Sequence, residues 1–145
     1  MMQVHLMITP HWEHFEHQAD MGVRGYGNKP AEAFEQAALA MSAIITDLSL
    51  IDPSNEINIV CEETDQELLF VDWLNALIFE MSTRNMLFSR FKVCINDGHL
   101  KASAWGEAIN VKRHEPTVEI KGATYTELAV YRSQEQWIAQ CVVDV

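Results

Sequence analysis

The sequence has few basic residues, because ten lysines and arginines stand against 21 aspartates and glutamates and give a formal net charge of −11. Such a chain repels a phosphate backbone unless its cations are clustered, and along the sequence they are not. We therefore expect no direct, tight binding of nucleic acid. A metal cation or a basic surface on a partner protein matches this charge balance better.

Cysteines and long apolar runs are also scarce. Cys61, Cys94 and Cys141 lie far apart without CxxC spacing, which predicts reduced cysteines packed within strands and no disulfide or zinc site. No apolar run reaches the roughly 18 residues of a membrane span, and residues 1–8 lack the features of a secretory signal. The sequence accordingly predicts a cytoplasmic protein that does not enter a membrane.

The motifs of common enzyme classes are missing: there is no GxxxxGKS/T, GxSxG or HExxH sequence and no EF-hand loop. A short histidine run is present at His11, His14 and His17. In a strand, His14 and His17 face opposite sides, so these residues are expected to be solvated surface histidines. We therefore do not expect an enzyme.

The patterns that are present predict a single α+β domain over residues 1–145, long enough for one hydrophobic core. Apolar residues recur at helical spacing from Pro30, and again after Thr64, which forms a capping box with Glu67. Two amphipathic helices among many strands indicate a mainly antiparallel or mixed sheet, with a tight hairpin at residues 96–98. The predicted strands are residues 12–17, 22–27, 56–62, 86–95, 100–106, 118–125, 128–131 and 137–143.

Three aspartates stand where local rules disfavour them. Asp20 lies in a predicted loop, Asp47 at the C-terminal end of a predicted helix, and Asp144 at the end of an apolar strand. If the fold brings them together, their repulsion requires a cation, and an all-oxygen shell favours calcium or magnesium. The alternative is that Asp47 caps the following loop and Asp144 is simply the polar end of the chain.

A series of short motifs begins with HQADMG at residues 17–22 and RGYG at residues 24–27. The series continues with EAFE at 32–35, TD at 46–47, WLN at 73–75, WGE at 105–107, His114, EIK at 119–121, TY at 124–125 and DV at 144–145. In this order the motifs resemble the archease family, the small cofactor proteins of the RNA-splicing ligase. Gln18 departs from the usual threonine, and Thr126 stands where many members have histidine.

The resemblance implies a divalent cation, calcium or magnesium, held by the side chains of Asp20 and Asp144 and the main-chain oxygen of Val145. Asp47 is a further candidate ligand. Such a cation would join the two ends of the chain, so that metal binding is coupled to local order.

The resemblance also assigns Lys121 and His17 to contact with a partner or to its activation. For Lys121 the alternative is an ion pair with Glu119 on the same sheet face. We expect Trp73, Trp105 and Tyr125 to pack in the core or on the sheets, and His114 to be structural.

The function implied by the resemblance is to help a GTP-dependent RNA-splicing ligase become guanylylated and turn over repeatedly, in tRNA splicing or RNA repair. Two alternatives remain open. One is a chaperone-like interaction module for a nucleic-acid-modifying enzyme, without a metal-dependent role. The other is a metal-dependent hydrolase that uses Asp20, Asp47 and Asp144.

Overall fold

A computed structural model describes residues 7–145 of the chain. Residues 1–6 lie outside this description. They are part of the predicted domain, and they make up most of residues 1–8, where the sequence lacks the features of a secretory signal. The elements are β1 (His11–His17), β2 (Asp20–Gly27), α1 (Pro30–Ile45), a 3-10 turn (Leu48–Leu50), β3 (Asn55–Glu62), α2 (Gln66–Arg84), β4 (Met86–Asn96), β5 (His99–Ala108), α3 (Val111–His114), β6 (Gly122–Ala123), β7 (Ala129–Ser133) and β8 (Gln136–Asp144).

The strands form two antiparallel sheets with α1 between them. One sheet has the order β1-β2-β8-β6, with β7 also paired to β8, and the other has the order β3-β5-β4. Helix α1 packs on β2 and β8 from one side and on β4 from the other. The predicted α+β class with two main helices is confirmed, whereas α3 is one turn long and too short to show a helical period. No helix within residues 7–145 has the length and apolar character needed to cross a membrane.

Helix α1 lies unusually close to β2 because two glycines of the RGYG motif leave room for it. A Cβ atom at Gly25 would lie 2.1 Å from the carbonyl oxygen of Ala33, and one at Gly27 would lie 2.4 Å from the Cβ of Glu32.

On β1, the imidazole of His14 contacts the carbonyl oxygen of Ala40 at 2.7 Å. The prediction of a solvated surface residue is therefore wrong for His14, which is half-buried against the helix. It is also wrong for His17, which is half-buried, and it is correct for His11, which is exposed.

Helix α2 begins one residue later than predicted. The N-cap is Asp65, whose carboxylate accepts the main-chain N–H groups of Glu67 and Leu68, so the predicted capping box with Thr64 is wrong. Aspartate satisfies these free N–H groups as well as threonine does. Farther along the helix, Trp73 is fully buried and donates its indole N–H to the carbonyl oxygen of Phe34 at 3.1 Å.

The predicted strand at 118–125 is mostly absent, since only Gly122 and Ala123 pair with a neighbouring strand. Side-chain exposure does alternate here, with Val118 half-buried, Ile120 buried and Glu119 exposed. The sequence pattern therefore predicted this alternation. It carried no information on whether another strand lies alongside, and that prediction was wrong.

The predicted packing of the aromatic and cysteine residues is only partly correct. Trp73 is in the core, and Trp105 is half-buried with the Arg90 guanidinium 4.6 Å from its ring centre. Tyr125 is 71% exposed, which contradicts its predicted packing. Cys94 is also exposed, whereas Cys61 is half-buried and Cys141 is buried; all three are free.

Candidate metal and partner site

Asp20 lies beside the end of the last strand. Strands β2 and β8 pair with Met21 opposite Val143, and the same register continued by one residue aligns Asp20 with Asp144. The Val145 N–H donates to Oδ1 of Asp20 at 3.3 Å. Directly opposite residues of antiparallel strands share a face with Cβ atoms about 5 Å apart. The fold thus brings the two aspartates to neighbouring positions on one face.

His17 belongs to the same row of residues. It is the partner of Asp20 in the β1–β2 hairpin, so His17, Asp20 and Asp144 follow one another across three strands. The hairpin turn contains only Gln18 and Ala19, and Gln18 has a left-handed backbone with a φ of 54°. Asp20 is therefore the first residue of β2 and not part of the predicted loop.

Lys121 lies on the other side of Asp144. Its main-chain N–H donates to the carbonyl oxygen of Asp144 at 2.9 Å, and the next residue, Gly122, is the register partner of Asp144. The Lys121 side chain is exposed, and no ion pair with Glu119 forms in residues 7–145. The amine is therefore available to a partner.

Asp47 lies at the same end of the molecule as Asp20, because α1 is antiparallel to β2. Its side chain, however, hydrogen-bonds within its own turn. It is the N-cap of the 3-10 turn and accepts the N–H of Ser49 at 2.9 Å and its hydroxyl at 2.8 Å. These two hydrogen bonds lower the pKa of Asp47, the main-chain bond having the larger effect. The capping alternative thus describes its contacts, and its role as a metal ligand stays a prediction.

The donor atoms at this end fit a hard cation. Asp20 and Asp144 have no cationic partner within the described part of the chain. Two carboxylates and the main-chain oxygen of Val145 form an all-oxygen set, which suits calcium or magnesium and not zinc. Among residues 7–145 no three histidine, cysteine or acidic side chains converge on one point, so water or a partner would have to complete the shell.

A hydrogen-bond network around the buried His114 lies next to Asp47, because the Thr46 hydroxyl donates to the His114 carbonyl oxygen. His114 is fully buried; its Nδ1 accepts the N–H of Asn110 at 2.8 Å, so its Nε2 donates to Glu107 at 3.0 Å. Glu107 also pairs with Arg113 at 2.5 Å. The hydrogen bond from Arg113, followed by those from the Asp52 main chain and His114, lowers the pKa of Glu107 from 4.5 to about 2. The predicted structural role of His114 matches these contacts.

Asn75 is the residue at this site for which the sequence indicated no role. In the sequence it stands out only as part of the WLN motif, yet its side chain hydrogen-bonds to the main chain of Ala123 on β6. The two residues are 48 positions apart, so no local pattern could have revealed the contact.

Fold and site together define a class of small α+β proteins with two antiparallel sheets and an acidic end where β2 meets the last strand. The chain belongs to the Archease protein family, whose model matches residues 12–145. It is 39% identical to protein archease of Pyrococcus furiosus and 37% identical to that of Thermococcus kodakarensis, in each case over 92% of this chain and 98% of the relative.

Solved structures agree with this assignment. The solution structure of protein 1598 of Methanobacterium thermoautotrophicum is 36% identical, with a TM-score of 0.77 over 92% of this chain and 98% of that one. A crystal structure from Thermotoga maritima, described as an archease and possible chaperone, is 22% identical, with a TM-score of 0.55 over 90% and 94%. At that identity, the Thermotoga maritima structure supports the shared fold alone.

Proposed function

We propose that this chain is a metal-binding accessory protein that activates a GTP-dependent RNA-splicing ligase. It promotes guanylylation of the ligase and multiple turnover, in tRNA splicing or RNA repair in the cytoplasm. The observation that carries the proposal is the match to the archease family over residues 12–145, together with the adjacency of its motif residues Asp20 and Asp144. The ligase role itself comes from the family resemblance.

The proposed cofactor is calcium or magnesium. Asp20 and Asp144 are like charges at neighbouring positions, and within residues 7–145 neither forms an ion pair with a basic side chain. A divalent cation bound by both carboxylates and by the Val145 carbonyl would remove the repulsion. It would also hold the β1–β2 hairpin to the end of β8.

The proposed division of labour leaves the covalent chemistry to the ligase. By the resemblance, the ligase contributes manganese, the histidine that becomes guanylylated, and the binding of RNA. This chain contributes an acidic, metal-bearing end together with Lys121 and His17, which contact the ligase. The net charge of −11 is consistent with a helper that does not hold the RNA itself.

The decisive experiment measures multiple-turnover RNA ligation by a cognate ligase with and without this chain. We expect the chain to raise the number of ligations per ligase molecule. With Asp20→Asn or Asp144→Asn, this increase should be at least about ten-fold smaller than with wild type. Asp72→Asn removes a charge on α2 that is exposed like Asp144, and it serves as the control. No change in rate at saturating GTP and manganese would defeat the proposal.

A chaperone-like interaction module is the second candidate, favoured by the net charge of −11, which would attract a basic surface on a partner protein. In that case the ligase would be better folded in the presence of the chain, and Asp20→Asn and Asp144→Asn would keep the full effect. A third candidate, the metal-dependent hydrolase, predicts that the pure chain with magnesium cleaves nucleotides or phosphoesters. We expect no such cleavage, and cleavage that Asp20→Ala abolishes would reverse the ranking.

A further inference from the structure

The side chain of Asn75 takes the position that a neighbouring strand would take beside β6. Its Oδ1 accepts the N–H of Ala123 at 2.9 Å, and its Nδ2 donates to the carbonyl oxygen of the same residue at 3.4 Å. This two-way exchange with one residue is the hydrogen-bonding pattern of paired strands. One amide side chain thus completes the outer edge of β6.

Strand β6 has only two residues. On its inner side, Gly122 pairs with Asp144 and Ala123 with Val143. So short a pairing is marginal without support from packing or further hydrogen bonds. The residues on either side of β6 add hydrogen bonds to β8, from the Lys121 N–H to the Asp144 carbonyl oxygen and from the Thr124 N–H and hydroxyl to the Val142 carbonyl oxygen. On the outer side of β6, the Asn75 amide bonds to the backbone of Ala123.

Helix α2 provides a rigid base for Asn75. The residues on either side of it, Trp73, Leu74 and Leu77, are fully buried, whereas Asn75 itself is on the exposed side of the helix. A Cβ atom at Gly122 would lie 3.7 Å from Oδ1 of Asn75, an ordinary contact, so crowding does not hold the amide in position. Its two hydrogen bonds hold it.

We propose that Asn75 is a positioning residue that holds residues 121–123 in register with the end of β8. By acting through Ala123, it keeps Lys121 and Asp144 in place beside Asp20 without touching metal or partner. This role deepens the proposed function, and only its effect on metal affinity rests on that function. The amide is required because aspartate cannot donate to the Ala123 carbonyl and alanine can neither donate nor accept.

The first test follows amide hydrogen exchange by NMR in the metal-free chain. For Asn75→Ala we expect exchange at least about ten-fold faster at Ala123 and also at Lys121, which Asn75 does not touch. The amides of β4 and β5 report global opening and should keep their rates. Asn58→Ala, an exposed asparagine on β3 of the other sheet, should change neither Lys121 nor Ala123.

The role is overturned if Ala123 alone exchanges faster while Lys121 keeps its wild-type rate. Should Asn75→Ala unfold, Asn75→Asp is the second variant, since it keeps the acceptor for the Ala123 N–H and loses only the donor. We expect it to speed exchange at both amides by a smaller factor. Wild-type rates at both amides in Asn75→Asp would also overturn the proposal.

The second test titrates wild type, Asn75→Ala and Asn58→Ala by calorimetry with calcium and, separately, with magnesium. Loss of a group that orients a metal ligand weakens binding by about 10- to 100-fold, which we expect for Asn75→Ala and not for Asn58→Ala. If the wild type binds calcium and Asn75→Ala binds it with the same affinity, the positioning role is contradicted. If the wild type binds neither calcium nor magnesium, the metal part of the proposed function fails, and the exchange experiment alone decides the role of Asn75.

Discussion

At the scale of single residues, carboxylates have two contrasting environments in this protein. Asp20 and Asp144 lie side by side without a cationic partner in the described residues. Glu107 instead accepts hydrogen bonds from Arg113, from His114 and from the main chain of Asp52. The first arrangement leaves two carboxylates for the proposed cation, whereas the second stabilises a negative charge within the protein.

The stability of the fold should therefore depend on the ionisation of Glu107. Because its folded-state pKa is about 2, below the ordinary 4.5, its contribution is complete above pH 4.5 and is lost as the pH falls toward 2. We expect Glu107→Gln to lower the free energy of unfolding most at about pH 7, with a difference from wild type that shrinks by about pH 3. Urea denaturation at both pH values measures this difference.

Glu56→Gln is the control for that experiment. Glu56 is an exposed glutamate on β3, and its only side-chain hydrogen bond among the described residues comes from the Ser103 hydroxyl at 2.7 Å. We expect this variant to unfold like wild type at both pH values. A difference between Glu107→Gln and wild type that stays constant from pH 7 to pH 3 would show that the charge of Glu107 is not what stabilises the fold.

At the scale of elements, two hairpins have the same geometry and very different turn residues. Asp97 and Gly98 join β4 to β5 with φ values of 46° and 78°. Gln134 and Glu135 join β7 to β8 with φ values of 51° and 64°. Two positive φ values are the mark of a type I′ turn, for which Asn-Gly and Asp-Gly are the favoured pairs. The second turn is therefore strained.

Replacing the strained pair should stabilise the protein. A left-handed backbone costs an ordinary residue roughly 1–2 kcal/mol, so we expect Gln134→Asn with Glu135→Gly to raise the free energy of unfolding by about 1–2 kcal/mol. Urea denaturation provides the measurement. The reverse exchange, Asp97→Gln with Gly98→Glu, should destabilise by at least as much, because a Cβ at Gly98 would lie 2.8 Å from the Glu63 carbonyl oxygen.

The contact between β2 and α1 makes a further prediction at this scale. Gly25→Ala would push its methyl group against the α1 backbone, 2.1 Å from the Ala33 oxygen and 2.4 Å from the Ala37 nitrogen. Overpacking of this kind costs about 1–3 kcal/mol or more, so we expect a clear fall in melting temperature. Gly122→Ala, whose nearest neighbour is 3.7 Å away, should melt close to wild type. Equal melting of the two variants would contradict the packing role of the RGYG glycines.

At the scale of the whole molecule, the candidate metal site links residues 125 positions apart, because the Val145 N–H donates to Asp20. A cation bound there would tie the first hairpin to the last strand. Since binding to the folded state alone stabilises by about 2.7 kcal/mol at 100 times the dissociation constant, calcium or magnesium should raise the melting temperature. Chelation should reverse the shift, and Asp144→Asn should abolish it. The same shift in wild type and Asp144→Asn would exclude this site as its cause.

Local pattern predicted much of this fold. The helical spacing from Pro30, the turn at Asp97 and Gly98 and most of the strands follow from periods of a few residues, and the structure confirms them. Other predictions failed for two reasons. Several residue types can serve as the N-cap of a helix, and the burial of a side chain depends on which elements pack beside it. Asp65, and not Thr64, is the N-cap of α2, and Tyr125 is exposed although its large aromatic side chain predicted packing.

The sequence by itself determined the acidic charge, the helices and hairpins, and the motif order that indicated the family. Only the tertiary structure decided that Asp20 aligns with Asp144, that His17 continues this row, and that Asn75 supports β6. The physical reason is the range of the interactions. A periodic pattern records which face of an element is buried, whereas contacts between residues 48 or 125 positions apart depend on how the elements pack.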